Sequence, residues 1–275
     1  MAMTLRSRTV AIGLHAVVSL WTLFVLLPVF VMVISAFKSQ AELFTRPLAL
    51  PKQFSFAAFE RAWGIGISGF LFNSLLVTAL SVTIIIFASS LAAYILARSD
   101  RPVMRWVYVA IVAGFAVPLQ SVMVPLYQLV SGAGLLNSRL AIALPYAAYG
   151  IPFTTMLFYA FFLEFPRELE EAARLDGCGR LEVFFRIVLP LSGPAIASGA
   201  IFQAVFNWNE FILALLMLTK SDVRTLPVGI YGLTGQYSAD WPALMAGLSI
   251  ATLPLIVIFL LAQRHFVRSL AGLGK

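Results

Sequence analysis

Apolar residues in this chain come in long runs broken by short polar intervals. Six stretches, at about 12–36, 70–97, 106–130, 139–162, 195–218 and 242–263, each supply the roughly 20 mostly apolar residues that a membrane-crossing helix requires. The intervals differ. Residues 38–69 are long and mixed, with Pro47, Pro51 and several aromatics; Arg98–Arg105 is short and basic; Ser131–Ser138 is short, with Gly132 and Gly134. Residues 163–194 are charged, and 219–241 are polar with Pro227, Gly229 and Gly232. The pattern predicts an all-α polytopic membrane protein with six transmembrane helices in a single domain over residues 1–275. The first run, from about Ala11 to Phe37, is too long for a signal-peptide core of about 7–15 residues and has no clear cleavage site, so it reads as a retained span.

Composition agrees. The chain is 61% hydrophobic and 11% charged, with a mean hydropathy of +0.94. Soluble domains carry about one quarter charged residues, so the solvent here is a bilayer. The net charge of +7 then needs no nucleic acid. Excess Lys and Arg marks the cytoplasmic side of a membrane protein. Twelve of these residues, including Arg98, Arg101 and Arg105, fall on the side that holds both termini, against seven on the other. That side is expected to be cytoplasmic. The single cysteine, Cys178, excludes an intrachain disulfide, and no Cys/His cluster suggests a metal.

Prolines stand inside several spans: Pro118 and Pro125 in the third, Pro145 and Pro152 with Gly150 in the fourth, and Pro254 in the sixth. Each removes a backbone hydrogen bond, and breaks or kinks are expected there. Such kinks suit a pathway that opens and closes, although prolines are common in membrane helices generally.

The charged interval is the most informative. Pro166 can open a helix, and Glu168, Glu170 and Glu171 suit its N-terminal end. Glu170 and Arg174 are spaced to pair, Ala172 and Ala173 offer a small face, and Asp176-Gly177 reads as a turn with Gly177 at positive φ. A second short helix, about Arg180–Val188, ends at Leu189-Pro190. The reading is a helix-turn-helix along the cytoplasmic surface. It serves either as an amphipathic connector on the headgroups or as a docking element. Its five acids from Glu164 to Asp176 favour docking, because membrane-surface helices are mostly basic on their polar face.

Glu171-Ala172-Ala173, Asp176-Gly177, Ile187 and Leu189-Pro190 together resemble the EAA motif of binding-protein-dependent ABC importer permeases, with Cys178 in place of the usual alanine. Ser35-Ala36-Phe37-Lys38, Asn73-Ser74, Gly134-Leu135-Leu136-Asn137-Ser138, Trp208-Asn209-Glu210-Phe211 and Gln263-Arg264 extend the resemblance over essentially the whole chain. They resemble the carbohydrate branch related to the second maltose permease subunit. Ser269 and the end at Lys275 depart from the family's usual C-terminus.

The resemblance implies a MetI-like fold in a bacterial or archaeal inner membrane, with residues 163–194 as the coupling loop. It implies a second homologous permease subunit, two ATPase subunits carrying ATP and Mg, and an external solute-binding protein. No cofactor is expected on this chain, and no enzyme activity. In that scheme Glu171 meets a basic residue of the ATPase, Ala172 and Ala173 allow close packing, Gly177 supplies the bend, and Leu189-Pro190 ties the helix to the fifth span. The chain has no GxxxxGK[ST] phosphate loop of its own.

Within the spans, Asn73, Gln120, Trp208, Asn209 and Glu210 are candidates for a sugar path, since amides and carboxylates bind hydroxyls and aromatic faces stack on rings. The competing reading is interhelical bonding by the same side chains. Glu210 is the only acid well inside a predicted span, so an interior or watery position is expected. His15 is expected to be interfacial. A secondary transporter or channel would call for an inverted repeat and further membrane carboxylates. A membrane enzyme would call for a clustered polar site. A phosphorylated polyol or a peptide is the alternative cargo to a sugar.

Overall fold

A computed structural model describes residues 5–234 and 239–272, with side chains described for residues 12–234 and 239–260. Of Gln263, Arg264, His265 and Ser269 only the helical backbone is therefore described, and Lys275 lies outside the described residues. The chain divides into two units, residues 1–67 with 230–252 and residues 68–229 with 253–275. Among the described residues every regular element is helical.

The first unit begins with α1 (Leu5–Ser35). Its apolar side chains from Ile12 to Phe30 are largely exposed, as a lipid-facing helix requires. Beyond it, Lys38 is buried and its ammonium donates to the carbonyl oxygens of Arg46 and Pro47, at 3.1 and 2.7 Å. This folds the segment around α2 (Gln40–Thr45) back on itself. Phe37 packs against Phe54, Phe56 and Phe59, with ring centroids 5.1–5.7 Å apart. In α3 (Ala57–Gly64), Arg61 makes a two-point ion pair with Asp240, whose Oδ1 also accepts from the Ala243 N–H in the first turn of α14 (Trp241–Gly272).

In the second unit, α4 (Ile67–Ala97) leads to α5 (Pro102–Ala113), α6 (Leu119–Gly132) and α7 (Leu140–Glu164). Next come α8 (Arg167–Leu175), α9 (Arg180–Val183), a π-turn over Phe184–Val188, and α10 (Leu189–Leu191). The unit continues with α11 (Gly193–Asn209), α12 (Ile212–Met217) and α13 (Leu226–Tyr231). Two apolar clusters hold it. One joins Val77, Ile142, Tyr146, Leu213 and Met217; the other joins Ala93, Tyr94, Phe158, Phe162, Phe184 and Val188. Gly199 of α11 lies so close to Phe158 of α7 that a β-carbon would stand 2.9 Å from the ring.

Four helices, over Ile12–Ser35, Ile67–Ala97, Leu140–Glu164 and Trp241–Leu260, are long and apolar enough to cross a membrane. Two further helix pairs meet the test only as bent pairs: Pro102–Ala116 with Leu119–Gly132, bent by 98°, and Arg180–Leu191 with Gly193–Asn209, bent by 77°. The expected third span is thus sharply broken. Val117 is extended (φ −80°, ψ 116°) because the residue before a proline disfavours helix, and Pro118 is extended as well. The expected fifth span is not one helix either: α11 stops at Asn209, and a separate α12 follows. The expected breaks at Pro125, Pro145, Gly150, Pro152 and Pro254 do not occur, since α6, α7 and α14 run through them. A spanning helix keeps such prolines where packed neighbours support the backbone. Gly150 is a contact glycine, with Ile85 and Gln203 where its β-carbon would be.

Arg61 holds the Asp240 carboxyl below the usual carboxylate range. A depressed carboxyl stabilises the folded unit above its unfolded pKa, and the contribution is lost as pH falls through the folded value. Protection factors of the α3 amides, which divide out the intrinsic pH dependence of exchange, should therefore fall below about pH 4 and stay level between pH 6 and 8. Asp240→Asn, which keeps the oxygen that caps α14, should remove the acid-dependent part; an unchanged acid limb in that variant would contradict the assignment.

Candidate functional site

The chemistry-bearing segment is built on a helix with a well-defined stop. Pro166 precedes the first turn of α8. At its end the Cys178 N–H donates to the Ala173 carbonyl and the Gly177 N–H to that of Arg174, both at 3.0 Å, while Gly177 sits at φ +91°. This is a Schellman ending, and it requires a residue that tolerates the left-handed region. It turns the chain into α9 and the π-turn, whose Val183, Phe184 and Val188 are buried. Such π-turns are rare and often found at functional sites.

Glu170 anchors the segment. Its side chain is 3% exposed, and its Oε1 accepts from Arg98 Nε at 2.7 Å and lies 2.6 Å from the second guanidinium nitrogen. Its Oε2 accepts from the Tyr94 hydroxyl at 2.9 Å. Arg98, one residue past the end of α4, also donates to the carbonyl oxygens of Phe162 and Phe165 at the end of α7. One guanidinium thus joins the ends of α4 and α7 to α8. The expected partner, Arg174, is more distant at 3.8 Å and is itself half exposed. Tyr94 further packs on Phe184 with ring centroids 5.1 Å apart, so the π-turn shares the same anchor.

The periodicity of α8 then sorts the motif residues. Glu170 and Ala173 face inward; Glu171, Ala172, Asp176 and Gly177 face outward, beside a Leu175 that is 89% exposed. The expectation that Ala172 and Ala173 present one small outer face is corrected: residues one apart on a helix diverge, and Ala173 packs within the cluster of Phe162 and Phe184. Ile187 and Leu189 pack partly against that cluster, and Pro190 is exposed.

The polar residues of the expected sugar path are not brought together. Asn73 is buried; its amide donates to the Asp222 and Arg224 carbonyls, and its oxygen accepts from Arg139 Nε and a terminal nitrogen at 3.0 and 2.9 Å. Glu210 accepts from the Tyr146 hydroxyl at 2.6 Å and from the Leu213 and Ala214 N–H groups, capping the start of α12. Trp208 is buried, and Gln120 and Asn209 are exposed. Asn73 and Glu210 are thus engaged in internal bonding, and Trp208 is packed inside. Gln203 and Asn207 do the same work, reaching Thr154 and Ser81 at 2.9 and 2.8 Å.

Sequence reasoning missed Arg98, Tyr94 and Asn137 as site-forming residues. Arg98 had a signal, as the first charge after an apolar run. Asn137, at φ +59°, accepts from both N–H groups of Thr219 and Lys220 and has none outside its resemblance segment. Gly177→Val should cost about 1–2 kcal/mol through its left-handed conformation, read as a lower Tm of the purified protein. Gly179→Val, outside that conformation, should cost less; equal losses would argue against a φ-based role.

Residues 84–272 match the family described as binding-protein-dependent transport system inner membrane component. A probable ABC transporter permease protein of Bacillus subtilis, YurM, is 41% identical over 89% of this chain and 82% of its own length. The diacetylchitobiose uptake permease NgcG of Streptomyces coelicolor is 32% identical over 94% of this chain and 86% of its own. The melibiose/raffinose/stachyose import permease MelC of Bacillus subtilis is 34% identical over 90% of each chain. In fold, the chain resembles a solved bacterial ABC transporter that imports alginate, with a TM-score of 0.84 at 20% identity over 97% of this chain and 99% of that one. The MetNI methionine transporter gives a TM-score of 0.53 at 16% identity over 74% and 94%. With an EAA-type helix anchored on its spans and most of its length matched, this chain belongs to the inner membrane components of binding-protein-dependent transport systems.

Proposed function

We propose that this chain is one permease half of an ATP-driven importer for a carbohydrate, multi-pass in a bacterial or archaeal inner membrane with both termini cytoplasmic. A second, homologous permease completes the pathway, an external binding protein delivers the cargo, and two ATPase subunits supply ATP and Mg chemistry. The observation that carries the reading is the division of α8 into an anchored inner face and a free outer one. Glu171, Ala172 and Leu175 stand exposed on a helix whose Glu170 and Ala173 are locked to α4 and α7. A displacement applied to the outer face then reaches the spans through Arg98 and Phe184, with the Gly177 turn and Ile187, Leu189 and Pro190 passing it on to α11. The sugar assignment is supported by relatives named for diacetylchitobiose, melibiose/raffinose/stachyose and arabinooligosaccharide transport.

Glu171→Arg and Ala172→Trp both change exposed side chains of α8. Each should lower ATP-driven sugar uptake in reconstituted vesicles at least about tenfold, the equivalent of about 1.4 kcal/mol of docking energy, with Tm unchanged. Uptake retained in both variants would contradict ATPase docking on this face. Loss of uptake for sugars alone, with a peptide or phosphorylated polyol still carried, would locate the fault in cargo choice.

A further inference from the structure

Between the end of α4, the start of α5 and α8 lies a cavity of about 740 Å³, within the size range of ligand sites. Five arginines line it, Arg98, Arg101, Arg167, Arg174 and Arg180, against Asp100, Glu170 and Glu171. Glu170 is taken up by Arg98 and, at longer range, by Arg174. The guanidiniums of Arg101, Arg167 and Arg180 make no ion pair within 4 Å among the described residues, although acids share the cavity with them. Five arginines against three acids leave the concavity with an excess of two positive charges, which an anion can offset.

The remainder of the lining indicates what kind of anion. Ile95, 48% exposed, belongs to the apolar span of α4, and Met104 sits in the first turn of α5. Val103 and Trp106 beside it are exposed, and an exposed tryptophan at the start of an apolar helix marks headgroup depth. The cavity therefore combines apolar lining from Ile95 and Met104 with a cationic rim, next to an exposed tryptophan of the kind found at headgroup depth. Basic pockets between membrane helices on the cytoplasmic side hold acidic lipid headgroups.

We propose that this cavity binds the phosphate headgroup of an anionic phospholipid, with the acyl chains along Ile95 and Met104. The cytoplasmic placement rests on the orientation proposed above. The phosphate takes the paired donors of Arg101 and Arg180, the geometry in which guanidinium binds phosphate best. A lipid seated there touches both the α4–α5 connection and α8, so bilayer composition acts on the coupling helix.

The test uses the assembled transporter in nanodiscs of phosphatidylcholine with or without phosphatidylglycerol, with lipid retained after mild delipidation measured by native mass spectrometry. Both leaflets are accessible, so retention reads the cavity whichever way the chain faces. Phosphatidylglycerol should be retained about tenfold over phosphatidylcholine, about 1.4 kcal/mol of preference. Arg101→Gln with Arg180→Gln should abolish the preference at unchanged Tm, and Arg101→Lys with Arg180→Lys should keep part of it. Equal retention of the two lipids by the wild type would overturn the proposal. Displacement of phosphatidylglycerol by inorganic phosphate would overturn it in favour of a soluble phosphate ligand. Loss of the ATPase subunits in the glutamine variant, with lipid retention intact, would overturn it in favour of a protein contact.

Discussion

One largely buried guanidinium holds the functional end of this molecule together. A charge removed from water is costly, and it is tolerated only with a close partner and its remaining donors satisfied. Arg98 meets both conditions: the Glu170 carboxylate on one side, and the Phe162 and Phe165 carbonyls on the other. Its partners belong to α8 and to the end of α7, so the full set of bonds cannot form unless α4, α7 and α8 have all reached their places. Tyr94 adds a hydrogen bond to the same carboxylate and a ring contact to the π-turn. The exposed face of α8 is rigid because its opposite face is fixed in this way.

The same constraint governs the polar groups inside the spans. Asn73 gathers Arg139 and two carbonyls, Glu210 caps α12 while holding Tyr146, and Gln203 and Asn207 cross from α11 to α7 and α4. An apolar solvent offers these groups no alternative partner, so they bond to one another across helices or to backbone groups left free at helix ends. The break after Asn209 stands beside an acid, Glu210, that caps the next helix. Gln120 and Asn209 are exposed, and the Asn209 amide donates to the Val205 carbonyl of its own helix.

Much of this was legible in the sequence, and the reasons differ by element. Long apolar runs announce spans because length and hydropathy alone decide them. Gly177 announced its turn because few residues accept a positive φ. The inward role of Ala173 was hidden by a motif that reads as a unit, although adjacent helical residues point different ways. Prolines differ in effect with what surrounds the freed carbonyl: Pro118 breaks its span, whereas Pro145 and Pro152 lie within one continuous helix. Arg98 and Glu170 stand 72 residues apart, and nothing local in either neighbourhood reports the other.

The most direct test is a double-mutant cycle on that pair in the assembled transporter, with unfolding free energy and ATP-driven uptake both measured. Arg98→Ala and Glu170→Gln should each be strongly destabilising, with Arg98→Ala at about 3–5 kcal/mol because it strands a buried carboxylate. The double variant should cost well under the sum of the two, and uptake should fall in step with stability. Additive costs, or uptake that survives both changes, would contradict the central role of this contact.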